Sequence, residues 1–189
     1  MIRRSSIAAL LLFAAVLMTG CAGKADQYYL LTPAGPAPRG GGMGIGVGPV
    51  SVAEYLDRSN LIFQTGGQRL EVADNHHWAG DLRKSIASVM ASNLGREFRT
   101  GNVRTYPWDR DDELRYQVVI EVRQLHGTPD GGAILEASWR VYALPSSALL
   151  VSRSTTVREQ LSRDGFEALA AAESRLFTRL AAEIASALK

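Results

Sequence analysis

Leu114-Arg115-Tyr116-Gln117-Val118-Val119-Ile120-Glu121-Val122-Arg123-Gln124-Leu125 is the stretch on which the fold turns. Leu114, Tyr116, Val118, Ile120 and Val122 alternate with Arg115, Gln117, Glu121 and Arg123, and a period of two belongs to a strand with one buried and one wetted face. Thr128-Pro129-Asp130-Gly131-Gly132 then turns the chain, since proline presets one turn dihedral and glycine accepts the other. Alternation resumes at Ala133, Leu135, Ala137, Trp139, Val141 and Ala143, breaks at Pro145-Ser146-Ser147, and continues from Leu149 to Val157. Three strands joined by short turns form an antiparallel meander.

Working outward, Phe166, Leu169, Leu176, Phe177, Leu180 and Ile184 share one face of a helix spanning Phe166 to Leu188. Asp164 and Glu167 have capping-box spacing at its start. Upstream, Leu82, Ile86, Val89, Met90, Leu94 and Phe98 recur at three- and four-residue steps, which predicts a helix from Trp78 to Phe98 with Asp74 or Asn75 as its cap and Gly101 just past its end. Leu61–Phe63 and Arg69–Val72 flank Thr65-Gly66-Gly67 as a hairpin. Tyr28-Tyr29-Leu30-Leu31 reads as a short strand, and Pro33, Pro36, Pro38 and Gly40 to Gly42 as a loop. Gly44, Gly46 and Gly48 precede a β-type run rather than a helix, so they mark an edge strand or a close backbone approach and not a phosphate loop. Element order and periods predict an α+β fold, one antiparallel sheet with two long helices packed against it, in a single domain.

The N-terminal segment addresses location. Arg3 and Arg4 precede twelve apolar residues, Ile7 to Met18, and Thr19-Gly20-Cys21 follows. That run has signal-peptide length, and a bilayer span needs about 20 residues. The chain's one cysteine directly after the small residues resembles a bacterial lipobox. Residues 1–20 are therefore expected to be a lipoprotein signal peptide, 21–27 a lipidated N-terminus and short tether, and 28–189 the folded domain. Acyl chains on Cys21 anchor without spanning. Ala22 stands where inner-membrane retention usually calls for Asp, so the expected location is the outer membrane, lipid-anchored and facing the periplasm.

Removing residues 1–20 takes away Arg3 and Arg4, which leaves 21 − 2 = 19 basic residues against 19 acidic. A near-neutral chain with no basic run is no nucleic-acid partner. With its single cysteine assigned to lipid, no intramolecular disulfide forms, and stability must come from a hydrophobic core.

Catalytic patterns are missing from the sequence. His76 and His77 are adjacent and point apart, so they cannot chelate as an i, i+4 pair does. His126 is read as a surface or turn residue at a strand end. Asp109, Asp111, Asp112 and Glu113 lack calcium-loop spacing and read as a solvated acidic loop. No Gly-x-Ser-x-Gly elbow or His-Glu-x-x-His pattern occurs. The chain is read as a non-enzyme, with no metal and no cofactor beyond covalent lipid on Cys21.

A resemblance then becomes specific. The lipobox, Tyr28-Tyr29-Leu30-Leu31, Gly48-Pro49-Val50 leading into Tyr55-Leu56-Asp57-Arg58, and Asn75-His76-His77-Trp78-Ala79 opening the first long helix are similar, in order and spacing, to the ABC-type transport auxiliary lipoproteins, the PqiC and YmbA family. Ala53-Glu54 departs from the proline usual before Tyr-Leu there. The resemblance implies a non-catalytic, outer-membrane auxiliary or docking subunit of an intermembrane lipid transport system with an MCE-domain, PqiB-like partner, supporting envelope integrity. Tyr55, Leu56, Asp57 and Arg58 are the candidate contact segment, since Tyr and Arg are favoured interface anchors, with His77 and Trp78 beside them. The competing reading tucks Tyr55 and Leu56 into the core and pairs Asp57 with Arg58. Two alternatives stay open, a periplasmic lipid-binding carrier and a regulatory lipoprotein of another envelope machine, and self-association is compatible with all three.

Overall fold

A computed structural model describes residues 24–36, 38–108 and 113–188. Its elements in chain order are β1 (Gln27–Tyr29), β2 (Gly44–Val52), a 3-10 turn (Glu54–Leu56), β3 (Asn60–Gly66), β4 (Arg69–Trp78), α1 (Leu82–Phe98), β5 (Val103–Thr105), β6 (Leu114–Thr128), β7 (Gly132–Ala143), β8 (Ala148–Gln160) and α2 (Phe166–Ser186). The class is α+β, with both helices against one sheet.

The meander forms as its alternation dictates. Val118, Ile120 and Val122 of β6 face the same side as their partners Val141, Trp139 and Ala137 of β7, and all six are buried. A bulge between Val122 and Gln124 then advances the phase by one residue, so that Leu125 opposite Leu135 returns to the buried side. Arg123 and Gln124 are thereby both turned away from the helices and meet Glu136, at 2.9 and 2.6 Å.

The sheet is mixed, which corrects the expectation of a wholly antiparallel one. β6–β7–β8 and β3–β4 are antiparallel, whereas β2 runs parallel to both β6 and β5, and β1 parallel to β4. Adjacent strands in sequence pair antiparallel through tight turns, but β2 reaches β6 only after the β3–β4 hairpin and α1, the long crossover that parallel pairing requires. β6 carries β7 along one side. Along its other side it pairs first with β2 and then, at Gly127, with Phe63 of β3, so the sheet forks there. The β2 glycines serve close approach: a Cβ on Gly44 would lie 1.9 Å from the Glu113 carbonyl oxygen.

α1 begins at Leu82, four residues later than the periodicity suggests. Residues up to Trp78 are taken by β4, whose pairing with β1 and β3 outweighs the helical pattern. Asp74 and Asn75 are strand residues, and the cap is Asp81, whose carboxylate accepts from the Lys84 amide at 3.0 Å. The helix ends with Arg99 in the left-handed region, and Gly101 packs against the Gly40 backbone. α2 starts at Gly165 without a side-chain cap, so the Asp164–Glu167 capping box is not formed; Glu167 pairs with Arg163 instead.

α1 lies over β2 and β5, α2 over β7 and β8, and the helices touch each other. Where they meet, the Asn93 amide of α1 donates to the Thr178 hydroxyl of α2 at 3.4 Å. Trp139 and Phe177 fill the centre, both at most 1% exposed. No described helix is long and apolar enough to cross a membrane.

Candidate functional site

The segment after β2 is pinned at both ends. The Ala53 amide donates to the Val122 carbonyl at 2.9 Å, and the Trp78 amide donates to the Ser59 carbonyl at 2.5 Å. Between them the 3-10 turn drives Leu56 into the core and leaves Asp57, Arg58 and Ser59 exposed.

Tyr55 is half-buried, and its hydroxyl is enclosed near the Leu125 backbone. Burial raises its pKa; the Leu125 backbone pulls the other way, and the carboxyl groups of Glu173 and Glu136 add to the rise. Tyr55 and Leu56 thus belong to the core and Asp57 and Arg58 to the surface.

Asp57 does not pair with Arg58. Its two carboxylate oxygens take both terminal nitrogens of Arg83, each at 3.1 Å, and Arg83 also reaches Asp81 at 3.3 Å. Asp81 therefore holds the start of α1 and one arm of this bridge together. The Lys84 amide above all, and Arg83 next, hold its carboxyl below the ordinary value, while the hydrogen bond that Arg83 donates to Asp81 and the charge of Asp57 raise the Arg83 guanidinium. Arg58, Ser59, Gly80 and Arg83 rim an open depression of about 240 Å³ here. Arg83 lies off the apolar stripe of α1, and its residue type alone does not mark it as part of a site. The signal that points to its place is Gly80-Asp81 directly before the first apolar helix position, a helix start that would set Arg83 in the first turn.

His77 and Trp78 do lie beside this segment, because Asn60 of β3 is in register with His77. They sit on β4, so their orientation follows strand alternation and not a helix. Trp78 is buried under the sheet edge. His77 turns outward, with its Nδ1 3.3 Å from Ser59 Oγ, its Nε2 3.5 Å from Asp26 and its ring 5.5 Å from that of Tyr28. His76 faces the opposite way, stacked on Phe166 at 3.9 Å with its Nδ1 2.8 Å from the Tyr29 hydroxyl.

Ser59, His77 and Asp26 form a line with the residue types of a nucleophilic triad. Its contacts are long, Asp26 is more than half exposed, and the helix start that could supply amide donors is already occupied by Asp81. Water screens such a relay. These residues fasten the start of β1 to the end of β4.

Among the described residues no group of three or more His, Cys, Asp or Glu could hold a metal ion. His126 is buried rather than at a surface turn, because β6 runs on to Thr128; its ring nitrogens face the Gly127 carbonyl at 2.9 Å and Gln124 at 3.3 Å. Glu113 pairs with Arg104. Cys21, the signal segment 1–20, Asp109, Asp111 and Asp112 lie outside the described residues.

A mixed sheet under two helices, a filled core and an exposed polar corner at the start of α1 are the features against which known proteins can be compared. The chain belongs to the family of ABC-type transport auxiliary lipoprotein components, whose model matches residues 28–185. It is 23% identical over 188 residues to the intermembrane transport lipoprotein PqiC of Escherichia coli K12, covering 95% of this chain and 96% of that one, and equally so to PqiC of Shigella flexneri. Two crystal structures share the fold. An uncharacterized protein superposes with a TM-score of 0.74 at 18% identity, over 88% of this chain and all of that one. A Xanthomonas campestris protein does so with 0.65 at 18% identity, over 85% and 93%. The family is one of auxiliary transport components, not of catalysts, and the chain is an auxiliary transport lipoprotein.

Proposed function

We propose that this lipoprotein is the outer-membrane-anchored, periplasm-facing docking subunit of an MCE-type intermembrane lipid transport system that supports envelope integrity, with a PqiB-like MCE-domain protein as its partner. The observation that carries the reading is end-to-end similarity to proteins named for intermembrane transport, over 95% of the chain. Anchorage through acyl chains on Cys21 supplies the location, and the corner of Asp57, Arg58 and Ser59 supplies a surface rather than a reaction.

The filled interior favours docking over lipid carriage. A carrier needs a pocket of several hundred Å³ that encloses most of its ligand, whereas Trp139, Phe177, Leu176 and Ile184 occupy the centre of this domain. A purified MCE-domain partner should bind the lipidated protein on vesicles, and Asp57→Ala with Arg58→Ala should weaken that binding with at most a small fall in melting temperature. Extraction of lipid by the purified domain from vesicles, with no partner bound, would instead favour the carrier.

A further inference from the structure

The run Tyr28-Tyr29-Leu30-Leu31 enters the fold as alternating neighbours. Tyr29 turns toward the helices, where its hydroxyl meets His76, and Leu31 is 7% exposed within the core. Tyr28 and Leu30 point the opposite way, and both are 65% exposed, the highest values among the exposed large hydrophobic side chains of the described residues. A strand with one wetted face carries polar residues on that face. Here it carries an aromatic and an aliphatic side chain.

Their surroundings extend the pattern. Tyr28 is in register with His77 of β4, and its ring lies against that imidazole. Further along β4, Val72 is in register with Ile62 and Leu70 with Gln64, beyond a shift in register that follows the Asn60–His77 pair. Val72 and Leu70 are likewise partly exposed. Tyr28 and Leu30 on β1, with Val72 and Leu70 on the neighbouring β4, thus give this outer arm of the sheet exposed apolar side chains. The helix-free side of β7 and β8 carries Ser138, Arg140, Ser152 and Ser154 over its middle, with Tyr142 and the exposed Leu149 at one end.

What covers Tyr28 and Leu30 follows from the length of chain before them. Gln27 is six residues from Cys21, so at no more than about 3.6 Å per residue β1 begins within about 22 Å of the anchoring residue. Tyrosine is suited to the boundary it would meet, with an apolar ring and a polar tip. A tether this short keeps the patch within that distance of the lipid surface, at a high local concentration.

We propose that Tyr28 and Leu30 rest in the headgroup layer of the phospholipid membrane that holds Cys21, so that the domain stands on its β1–β4 edge. β8 is the opposite edge of the sheet, five interstrand spacings of about 4.8 Å away, about 24 Å in all. It points into the aqueous space. The corner of Asp57, Arg58 and Ser59 lies beside the membrane, where a partner that reaches that membrane arrives. This inference rests on the anchored reading above.

The test uses the full lipidated protein in vesicles of phosphatidylethanolamine and phosphatidylglycerol. Cys21 is the chain's one cysteine and its thiol is consumed by lipidation, so Leu30→Cys or Ser152→Cys offers a single labelling site. An environment-sensitive fluorophore at residue 30 should shift to the blue and be quenched by lipids carrying a spin label near the headgroup, while one at residue 152, near the far edge, should do neither. Water-like emission at residue 30 in protein that floats with the vesicles overturns the contact and leaves the anchor standing. Shielding of residue 30 without lipid quenching assigns the patch to a second copy and also overturns it. Equal quenching at 30 and 152 overturns the upright orientation, and protein that fails to float overturns the anchor itself.

Discussion

Trp139 donates its indole N–H to the Thr155 hydroxyl at 2.9 Å, and Thr155 donates onward to Glu183 of α2 at 2.7 Å. A buried strand residue, its neighbour across β7–β8 and the covering helix are thus joined by one hydroxyl. Thr155→Val keeps the shape and leaves the indole unpaired, a loss of about 1–3 kcal/mol. Urea denaturation should show the midpoint fall for valine and hold near wild type for Thr155→Ser; an unchanged midpoint for valine would remove the hydroxyl from the ledger.

Glu173 lies on the buried face of α2, and no hydrogen bond or ion pair with the described residues reaches its carboxyl. Burial pushes its pKa well above 4.5. The folded state holds the proton more tightly than the unfolded chain, so stability is full below the unfolded value and declines as pH rises from there toward the folded one. Denaturant midpoints should fall between pH 5 and pH 8 in the wild type. Glu173→Gln should flatten that slope, and an equal slope in the variant would place its origin elsewhere.

Asp81 and Asp57 both hold Arg83, yet their loss should differ. Asp57→Ala breaks only an exposed ion pair, which water and salt already weaken. Asp81→Ala also uncaps α1, at about 0.5–2 kcal/mol. Helix capping puts the greater fall in melting temperature on Asp81→Ala, and equal falls would contradict it. Because the Asp81 carboxyl is held below its ordinary value, chiefly by the Lys84 amide, its contribution is present above the unfolded pKa and disappears as pH drops through the folded one.

Cys21→Ala should leave the domain folded and release it from membranes, since the core of β6, β7 and α2 owes nothing to an anchor. Fractionation with circular dichroism measures both halves of that statement. Tight membrane association of the variant would count against lipidation as the tether.

What could be read in the sequence followed from local periods. The meander and α2 announce themselves because alternation and the three-to-four step survive over a dozen residues or more, and Gly66-Gly67 closes the β3–β4 hairpin between two short β runs. Pairing between distant segments leaves no such mark. The parallel β2–β6 ladder, the extension of β4 to Trp78 and the bulge after Val122 are decided by neighbours that the chain order does not bring together. The candidate corner shows the same division. Asp57 and Arg58 were found at the surface by residue type, whereas Arg83 and the Ser59–His77–Asp26 line arise only when strand register sets β3 beside β4 and β1.

The crossover from β2 to β6 has a consequence for biogenesis. As the polypeptide emerges from its N-terminus, residues 44–52 must wait for 114–122 before their ladder with β6 can close, while β3–β4 and the later hairpins need only nearby partners. Long-range pairing is slow, and an unmatched strand awaiting its mate is a site of misassociation. Holdase protection during synthesis or export should therefore matter most in the interval before the sixth strand appears.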